Sequence, residues 1–478
     1  MMEAMSRSFL YLLLAIGSTL AFAQNAHAVS AIDLEPASQM GQKLFSNSGT
    51  QGMVLVIVHG NKVFIEGYGR TSLYSREKPN KNSFLRLCSL TKIFTTDVLA
   101  KMALDHTVRL NDPLQNYAPN GALVPQRGGQ PITLLHLATH TAGLHRELGY
   151  PPNGAAHFTY PDYALRWSWL PHQQLRWKPG TIASYSNIGF DLLSDALASA
   201  AHKSYADLLN ERTLRPLSMW ETTFYPSPAQ CSRLMTASID ESPCTVTANT
   251  EGSSGLYSTP VDMARWLKYL LGTGYPVQPR EAQDVYLMPN QLVRIDGLNY
   301  AGDPSGIGLG WVHVLPANDP SHLVEKTGGG AGFLTYIAIH PASHTALFVA
   351  VTENRRPSAT HFNLFRASNT VLLDLVGAPR LPEPAGAGKA HAKTRRGANA
   401  SKSANASKGA NARKGANAKR NAPAASARTR NKSARVPGKT AKKTAPKQRA
   451  PLTAKPTKKG HAAAKPPAKA HSRNRARR

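Results

Sequence analysis

The segment Ser89-Leu90-Thr91-Lys92 decides most of what the sequence predicts about fold and chemistry. A helix is predicted to begin at or near Ser89, because apolar residues recur at helical spacing from there onward. These residues are Leu90, Ile93, Phe94, Val98, Leu99 and Met102. Residues three positions apart share one face of a helix, so the Lys92 amine can reach the Ser89 hydroxyl. Since a serine hydroxyl needs a neighbour that accepts its proton, the spacing predicts an activated nucleophile. The segment alone is also typical of a capped surface helix.

A second segment, Tyr185-Ser186-Asn187, lies in a predicted loop that leads into a helix. The Tyr185 phenol can approach both Ser89 and Lys92, and nearby ammonium groups would favour its ionised form. Asn187 can hold Lys92 and a substrate amide. Taken alone, this segment is better explained by a buried tyrosine and a helix-capping asparagine.

A third segment, Lys326-Thr327-Gly328, ends a predicted strand and is followed by Gly329 and Gly330. A strand edge without bulky side chains can pair with an extended peptide. Lys326 and Thr327 can bind a carboxylate, and the Gly329 N–H can point at a developing oxyanion. Taken alone, the tripeptide is typical of a surface turn.

The three segments occur in fitting settings, which are a helix start, a loop and a strand edge. Together they predict a serine acyl-transfer enzyme that attacks a peptide bond, or a β-lactam ring that mimics one. This chemistry requires no metal and no cofactor. His136, His140 and His145 lie close together in the sequence, but their spacing matches no known zinc site. They are interpreted as loop and core histidines.

Residues 29–380 have a normal globular composition and are predicted to form one catalytic domain with two lobes. A β-hairpin is predicted over 53–68, and further strands at 310–314, 332–340 and 346–352. Helices are predicted at 134–139, 194–209, 261–271 and 362–376. The strands from both ends of the domain belong to one sheet. The predicted fold class is therefore α/β, with an antiparallel sheet flanked by helices and an inserted, mainly helical lobe.

Residues 1–28 are predicted to be a secretory signal peptide. Arg7 supplies the positive charge, Phe9 to Phe22 is an apolar stretch, and Ala26-His27-Ala28 is a small-residue cleavage site. Cleavage after Ala23 and an uncleaved membrane anchor are the alternatives. Export predicts a periplasmic protein, either free or associated with the membrane or envelope.

The net charge of +29 belongs to one segment of the chain. Of the 57 Lys and Arg residues, 28 lie between Lys389 and Arg478, which leaves 29 basic against 28 acidic residues elsewhere. Residues 381–478 contain no aromatic residue and few large aliphatic ones, so they are predicted to form a disordered basic tail.

Three kinds of partner are open to this tail. Its positive charge would bind nucleic acid at low salt, but export argues against DNA as a partner in the cell. Anionic envelope polymers or lipid head groups are the preferred partners. A solvated tail without a dedicated partner is the remaining alternative.

The chain has three cysteines, Cys88, Cys231 and Cys244. Because an exported protein meets an oxidising compartment, a disulfide between Cys231 and Cys244 is favoured over two free thiols. On the loop-entropy model such a bridge stabilises by about 3 kcal/mol. Cys88 precedes Ser89 and is interpreted as a small buried apolar residue.

The chain resembles the superfamily of class C β-lactamases and low-molecular-mass penicillin-binding proteins. The resemblance rests on the three segments above, whose S-x-x-K and K-T-G elements are typical of penicillin-recognising serine enzymes, and on residues 133–144 and 215–219. Within the superfamily, the chain is most similar to AmpH-type D-alanyl-D-alanine carboxypeptidase/endopeptidases. That similarity involves residues 86–92, 230–235, 242–244, 308–312 and 326–333, and the match covers about residues 40–378.

The resemblance implies a role for each candidate residue. Ser89 would be the acylated nucleophile, and Lys92 and Tyr185 would handle its proton, without a decision on which is the base. Asn187 would orient the substrate, and Lys326 and Thr327 would take a terminal carboxylate. The N–H groups of Ser89 and Gly329 would form an oxyanion hole, with Gly328 completing the strand-edge motif.

The resulting prediction is a penicillin-binding peptidase that trims peptidoglycan stem peptides. A β-lactamase has the same motifs but deacylates faster, and it remains an alternative. An esterase of the same fold is a second alternative. The intact Lys326-Thr327-Gly328 motif counts against it, because simple esters offer no carboxylate to bind.

Overall fold

A computed structural model describes residues 33–238, 242–273, 280–354 and 362–383 of the chain. The predicted signal peptide lies outside these residues, and so does the predicted basic tail from residue 384 onward. Within the described residues, no helix is both long enough and apolar enough to cross a membrane.

The helices are distributed along the whole described part of the chain. In chain order they are α1 (Pro36–Ser48), α2 (Thr91–Leu104), α3 (Leu134–Ala138), α4 (Tyr163–Trp169), α5 (Asn187–Ala201), α6 (Tyr205–Leu209), α7 (Pro228–Cys231), α8 (Pro260–Leu270) and α9 (Leu364–Val376).

The strands come mainly from the two ends of the described chain. They are β1 (Gly52–His59), β2 (Lys62–Gly69), β3 (Leu85–Arg86), β4 (Ile182–Ser184), β5 (Tyr257–Ser258), β6 (Arg294–Asp296), β7 (Pro304–Ile307), β8 (Val312–Val314), β9 (Leu323–Gly330), β10 (Phe333–His340) and β11 (Thr345–Thr352).

Seven strands form the main sheet, in the order β2-β1-β11-β10-β9-β8-β7. Every neighbouring pair in it is antiparallel. Since β1 pairs with β11 over its full length, the sheet joins the two ends of the domain. The mostly helical residues between β2 and β7 are inserted between them. The predicted antiparallel sheet with an inserted helical lobe is confirmed.

Both faces of the sheet are covered, which explains why β1 is buried at all eight positions. Val54, Val56 and Val58 belong to the core shared with the inserted helices. Met53 and Leu55 alternate with them and belong to a second core, where α1 and α9 pack on the opposite face. Alternating strand residues point to opposite faces, so a continuous apolar run is what a central strand of a covered sheet requires.

The predicted hairpin is correct, and Gly60 explains its tight turn. His59 pairs with Lys62, so only two residues connect the strands. Gly60 has a left-handed φ of 54°, a conformation that glycine adopts without steric cost.

The helix predicted at 194–209 is wrong in its bounds. It begins at Asn187 and ends at Ala201, where His202 adopts a left-handed φ of 52°. The chain then restarts as α6, with the Ser204 side chain accepting the Asp207 N–H as its cap. Apolar periodicity continues through this break, which is why the sequence pattern did not reveal it.

Candidate active site

Ser89 lies in a 3₁₀ turn, Cys88–Leu90, directly before α2. The preceding Leu87 carbonyl accepts a hydrogen bond from the Thr335 hydroxyl of β10 at 2.9 Å, which fixes the turn against the sheet. Cys88 is buried and adopts a left-handed φ of 51°. α2 itself begins at Thr91, two residues later than the sequence predicted. Lys92 still lies three residues after Ser89 and on the same side.

The Lys92 side chain is completely buried. Its Nζ donates to Asn187 Oδ1 at 2.6 Å and to the Ser253 carbonyl at 2.8 Å, and lies 3.3 Å from Ser89 Oγ. An uncharged amine has two N–H groups and one lone pair. With two N–H groups directed at Asn187 and Ser253, the third position on Nζ faces Ser89 Oγ. It carries a hydrogen in the ammonium form and, in the uncharged amine, a lone pair that can take the serine proton.

Tyr185 reaches the same hydroxyl from the other side. Its phenol donates to Ser89 Oγ at 2.6 Å. The Lys92 and Lys326 Nζ atoms lie 4.8 and 5.0 Å from the centre of its ring. The His140 ring stacks on it with centroids 4.5 Å apart. The predicted convergence of one hydroxyl, one phenol and two amines is therefore present.

The beginning of α5 places Asn187 between Lys92 and the cleft. Ser186 is the N-cap, and its hydroxyl accepts the Gly189 N–H at 3.0 Å. Asn187 thereby becomes the first helical residue, with its Oδ1 on Lys92 and its Nδ2 donating to Glu147 Oε1. The amide orientation is thus fixed by a donor on one side and an acceptor on the other.

The third motif lies on an open strand edge. β8 pairs with β9 only through Glu325, so from Lys326 to Gly330 the β8-facing edge of β9 has no ladder partner among the described residues. Thr327 is half-buried and Gly329 is exposed, whereas Lys326 is buried. An edge of this kind can pair with an extended peptide. The motif lies inside the strand, which continues to Gly330 rather than ending at Gly328.

Gly328 allows this strand to approach the nucleophile. A Cβ at this position would lie 2.3 Å from Thr335 Oγ1, 3.0 Å from the Leu87 carbonyl and 3.1 Å from the Ser89 nitrogen. Any side chain would therefore displace the turn that holds Ser89.

A cavity of about 430 Å³ opens beside these groups. Its lining includes Ser89, Asn187, Arg146, Glu147, Asp191 and Gly329. The volume is in the range of small-molecule and peptide side-chain sites. The nucleophile thus faces a space that a substrate can fill.

Burial dominates the electrostatics of the site. It lowers the pKa of Lys92 to about 7, while the negative charges of Asp191 and Glu147 oppose that change. Burial also lowers the pKa of Lys326 and holds the pKa of His140 well below its usual range. His140 is therefore a neutral imidazole whose Nδ1 accepts the Ser186 N–H at 3.1 Å.

Sequence reasoning missed several groups at this site. The Ser253 carbonyl is a backbone atom, and no residue pattern marks it. Arg146, whose guanidinium lies 4.6 Å from the centre of the Tyr185 ring, and Glu147 follow the 133–144 segment but belong to no motif. His140 was interpreted only as a loop or core histidine, although it stacks on Tyr185.

The three cysteines, all within the described residues, do not line the cavity beside Ser89. Cys231 and Cys244 are joined by a disulfide with an S–S distance of 2.03 Å. Arg86 of β3 donates to the Ser242 and Pro243 carbonyls at 2.8 Å, which ties this loop to the strand before Ser89. Burial raises the pKa of the Cys88 thiol to about 12, so this group is a poor nucleophile.

The fold and site define a class of protein, and family comparison agrees with them. The β-lactamase family model matches residues 37–368. The chain belongs to this family and is a serine hydrolase.

Individual proteins with similar sequences or structures narrow the comparison further. The chain is 42% identical over 348 residues to the D-alanyl-D-alanine-carboxypeptidase/endopeptidase AmpH of Escherichia coli K12, with 72% of this chain and 89% of AmpH covered. It is similar to a crystal structure of the β-lactamase/D-alanine carboxypeptidase from Yersinia pestis complexed with citrate. The TM-score is 0.67 at 39% identity, over 71% of this chain and 99% of the other. The octameric penicillin-binding protein homologue of Pyrococcus abyssi shares the fold, with a TM-score of 0.59 at 19% identity over 73% and 78% of the two chains.

Proposed function

We propose that this protein is a periplasmic serine D-alanyl-D-alanine carboxypeptidase and endopeptidase that acts on peptidoglycan stem peptides. Similarity to AmpH supports the reaction, and the open edge of β9 supports an extended peptide as substrate. β-Lactams would acylate the same serine, because they mimic the peptide bond that it attacks.

Acylation begins at the Ser89 hydroxyl. Its proton passes to Lys92 or Tyr185 as Oγ attacks the carbonyl carbon of the penultimate D-alanine. The tetrahedral oxyanion is stabilised by the N–H groups of Ser89 and Gly329. The C–N bond then breaks, and the leaving amine takes a proton from the same pair of residues. The products are free D-alanine and an acyl-Ser89 ester.

Substrate position is set by residues on both sides of the nucleophile. Lys326 and Thr327 bind the terminal carboxylate, which supplies two hydrogen-bond acceptors and a full charge. Asn187 directs its amide toward the substrate backbone, while Gly328 leaves room for the approach of β9 to Ser89. Water then attacks the ester, and Ser89 recovers its proton. An endopeptidase reaction differs only in that the leaving amine belongs to a cross-linked peptide.

The observation that carries this proposal is the double contact at Ser89 Oγ, with the Tyr185 phenol at 2.6 Å and Lys92 Nζ at 3.3 Å. A capped surface helix would show neither contact. A nucleophile with two adjacent proton-transfer groups in a cavity is the geometry of covalent catalysis.

The direct test incubates the purified protein with a defined pentapeptide muropeptide and, separately, with a cephalosporin. We expect release of D-alanine from the muropeptide, and no release by Ser89→Ala. Rapid cephalosporin turnover without D-alanine release would instead identify a β-lactamase. That second candidate is favoured by the Yersinia pestis relative, which is described as both enzymes. Absence of both activities from the folded protein would refute the proposal.

We also propose that residues 1–28 direct export and that the basic tail retains the enzyme at anionic envelope polymers or lipid head groups. The support is the charge distribution, because 28 basic residues lie from Lys389 to Arg478. Deleting residues 384–478 should leave D-alanine release intact and abolish envelope retention that is sensitive to salt. Unchanged retention of the truncated protein would contradict the tether.

A further inference from the structure

Asp191 is a buried carboxylate for which the mechanism above has no role. Its side chain is 1% exposed, and it borders the cavity that holds Ser89 and Asn187. Its Oδ1 is buried and has no hydrogen-bond partner among the residues that the structure describes. Since unpaired buried carboxylates are costly, a group of this kind beside an active site calls for a function.

The fold places Asp191 next to Lys92. Asp191 lies one helical turn after Asn187 on α5, so both residues are on the same face of the helix. Asn187 accepts a hydrogen bond from Lys92 Nζ. Ser253 makes the second link, because its carbonyl accepts from Lys92 Nζ at 2.8 Å and its side chain lowers the pKa of Asp191.

The surrounding charges divide into two groups. The groups that act on Lys92 are the charges of Asp191, Glu147 and Arg146 and the buried Cys88 thiol. Tyr185 and Lys326 also lie near Lys92. Burial raises the pKa of Asp191 to about 7, and the positive charges of Arg166 and, less strongly, of Lys92 favour its ionised form. Arg166 is already neutralised by two contacts of 2.6 Å with Asp195, and Glu251 lies next to this pair.

Among the neighbouring charges, Asp191 acts most strongly on Lys92, although Arg166 also stabilises the ionised form of Asp191. The Arg166 guanidinium is engaged by Asp195 through both Nε and Nη2. The Glu147 side chain is about half exposed, at 46%, so water screens its charge. Asp191 is the fully buried carboxylate that acts on Lys92, and a buried opposite charge favours the ionised form of its neighbour.

We propose that Asp191 is a positioning residue that acts through Lys92: its buried carboxylate is the counter-charge that sets how readily the Lys92 amine gains and loses its proton during acylation and deacylation. Its proposed role is exerted through Lys92 and does not depend on contact with the substrate. This inference rests on the proposed acyl-serine function and adds a residue outside its three motifs.

The test is the pH dependence of acylation by a fluorescent penicillin in Asp191→Asn, a change that keeps size and removes charge. Without the counter-charge, burial lowers the Lys92 pKa further, and the limb of the profile that reports Lys92 should move down by about one pH unit. If the Lys92 amine is the base, the rate below pH 7 rises relative to the plateau. If Tyr185 is the base and the Lys92 ammonium supports it, the rate at neutral pH falls. Either displacement supports the proposal.

Two further variants keep the test decisive. Glu251→Gln removes a partly buried carboxyl that acts on Arg166 and Asp191 rather than directly on Lys92, so its profile should move less than that of Asp191→Asn. If Asp191→Asn does not fold, Ser253→Ala removes the hydroxyl that stabilises the Asp191 charge and should give a smaller shift in the same direction. A lower rate with unmoved limbs would overturn the proposal and leave Asp191 a structural residue. Failure of the wild-type protein to acylate would instead refute the proposed function.

Discussion

Helix α2 has a lysine near each end, and the two are held in opposite ways. Lys101 Nζ contacts the Asp97 carboxylate at 2.7 Å, and Asp97 also accepts from Thr213 and Tyr269 at 2.7 Å each. In the described part of the chain, the hydrogen bonds of Lys92 Nζ go to uncharged oxygens instead. A buried charge with a complete set of partners stabilises a fold, whereas one without a contacting counter-ion can lose its proton. The comparison separates a structural lysine from a reactive one.

The largest expected effect is the loss of acylation rate when Lys92 is replaced. Lys92→Met should reduce the rate of acylation by labelled penicillin about 10²–10⁴-fold, the usual contribution of proton transfer by a positioned group. Its free energy of unfolding should stay level or rise, because a buried amine, whose removal from water costs free energy, is replaced by an apolar side chain. Acylation time courses and thermal unfolding measure the two effects. A Lys92→Met protein that acylates at the wild-type rate would contradict the assignment of Lys92 as the reactive lysine.

Gly328→Ala tests whether the site depends on the approach of β9 to Ser89. The added Cβ meets three groups at 2.3–3.1 Å, so the nucleophile must shift. A displacement of about 1 Å can cost on the order of 10²-fold in rate. We expect that loss of acylation in a protein that remains folded by circular dichroism. An unchanged rate would mean that the turn holding Ser89 can shift to accommodate the added Cβ without loss of activity.

Asp97→Asn should have the reverse pattern to Lys92→Met. Removing one partner from the buried cluster leaves Lys101 without its counter-charge, which costs about 3–5 kcal/mol in such cases. Below its unfolding transition, the variant should acylate within a few-fold of the wild type. Denaturant unfolding and labelling at low temperature check these two statements. A folded Asp97→Asn protein with acylation as poor as that of Lys92→Met would show that the cluster is catalytic after all.

The disulfide is a covalent structural element that, like the Asp97–Lys101 cluster, should affect stability and not catalysis. The bond joins residues 13 positions apart, and closing a loop of this length is worth about 3 kcal/mol. The double variant Cys231→Ser/Cys244→Ser should lose that stability, and reduction of the wild type should have the same effect. A reducing agent should not change the double variant further, since Cys88 is outside the bond. Equal stability with and without the bond would contradict the loop-entropy account.

The smallest expected effect is on the pH dependence of stability. The pKa of Lys92 is lowered to about 7 in the folded protein, against about 10.4 in an unfolded chain. Between these values the unfolded state binds the additional proton, so the contribution of Lys92 to stability should rise as the pH increases from about 7 to 10. Lys326 contributes in the same direction. Denaturant titrations should therefore show a shallower rise in Lys92→Met than in the wild type, and identical slopes would be inconsistent with a neutralised Lys92.

The sequence predicted the sheet and the three motifs because these depend on local rules. Apolar runs of β-branched residues predict covered strands, and a three-residue spacing puts Ser89 beside Lys92. The left-handed Cys88, the Ser253 carbonyl and the end of α5 at His202 depend on tertiary contacts or backbone conformation. Asp191 is one of two aspartates in the apolar helix α5, and no sequence pattern sets it apart from Asp195. Only its burial next to Lys92 distinguishes it.

The most direct test of the account is mass spectrometry of the protein after brief incubation with a β-lactam. Intact mass should increase by one β-lactam, and peptide mapping should place the adduct on Ser89. Attachment to another residue, or no adduct on the folded protein, would contradict the claim that Ser89, Lys92 and Tyr185 form an acylating site.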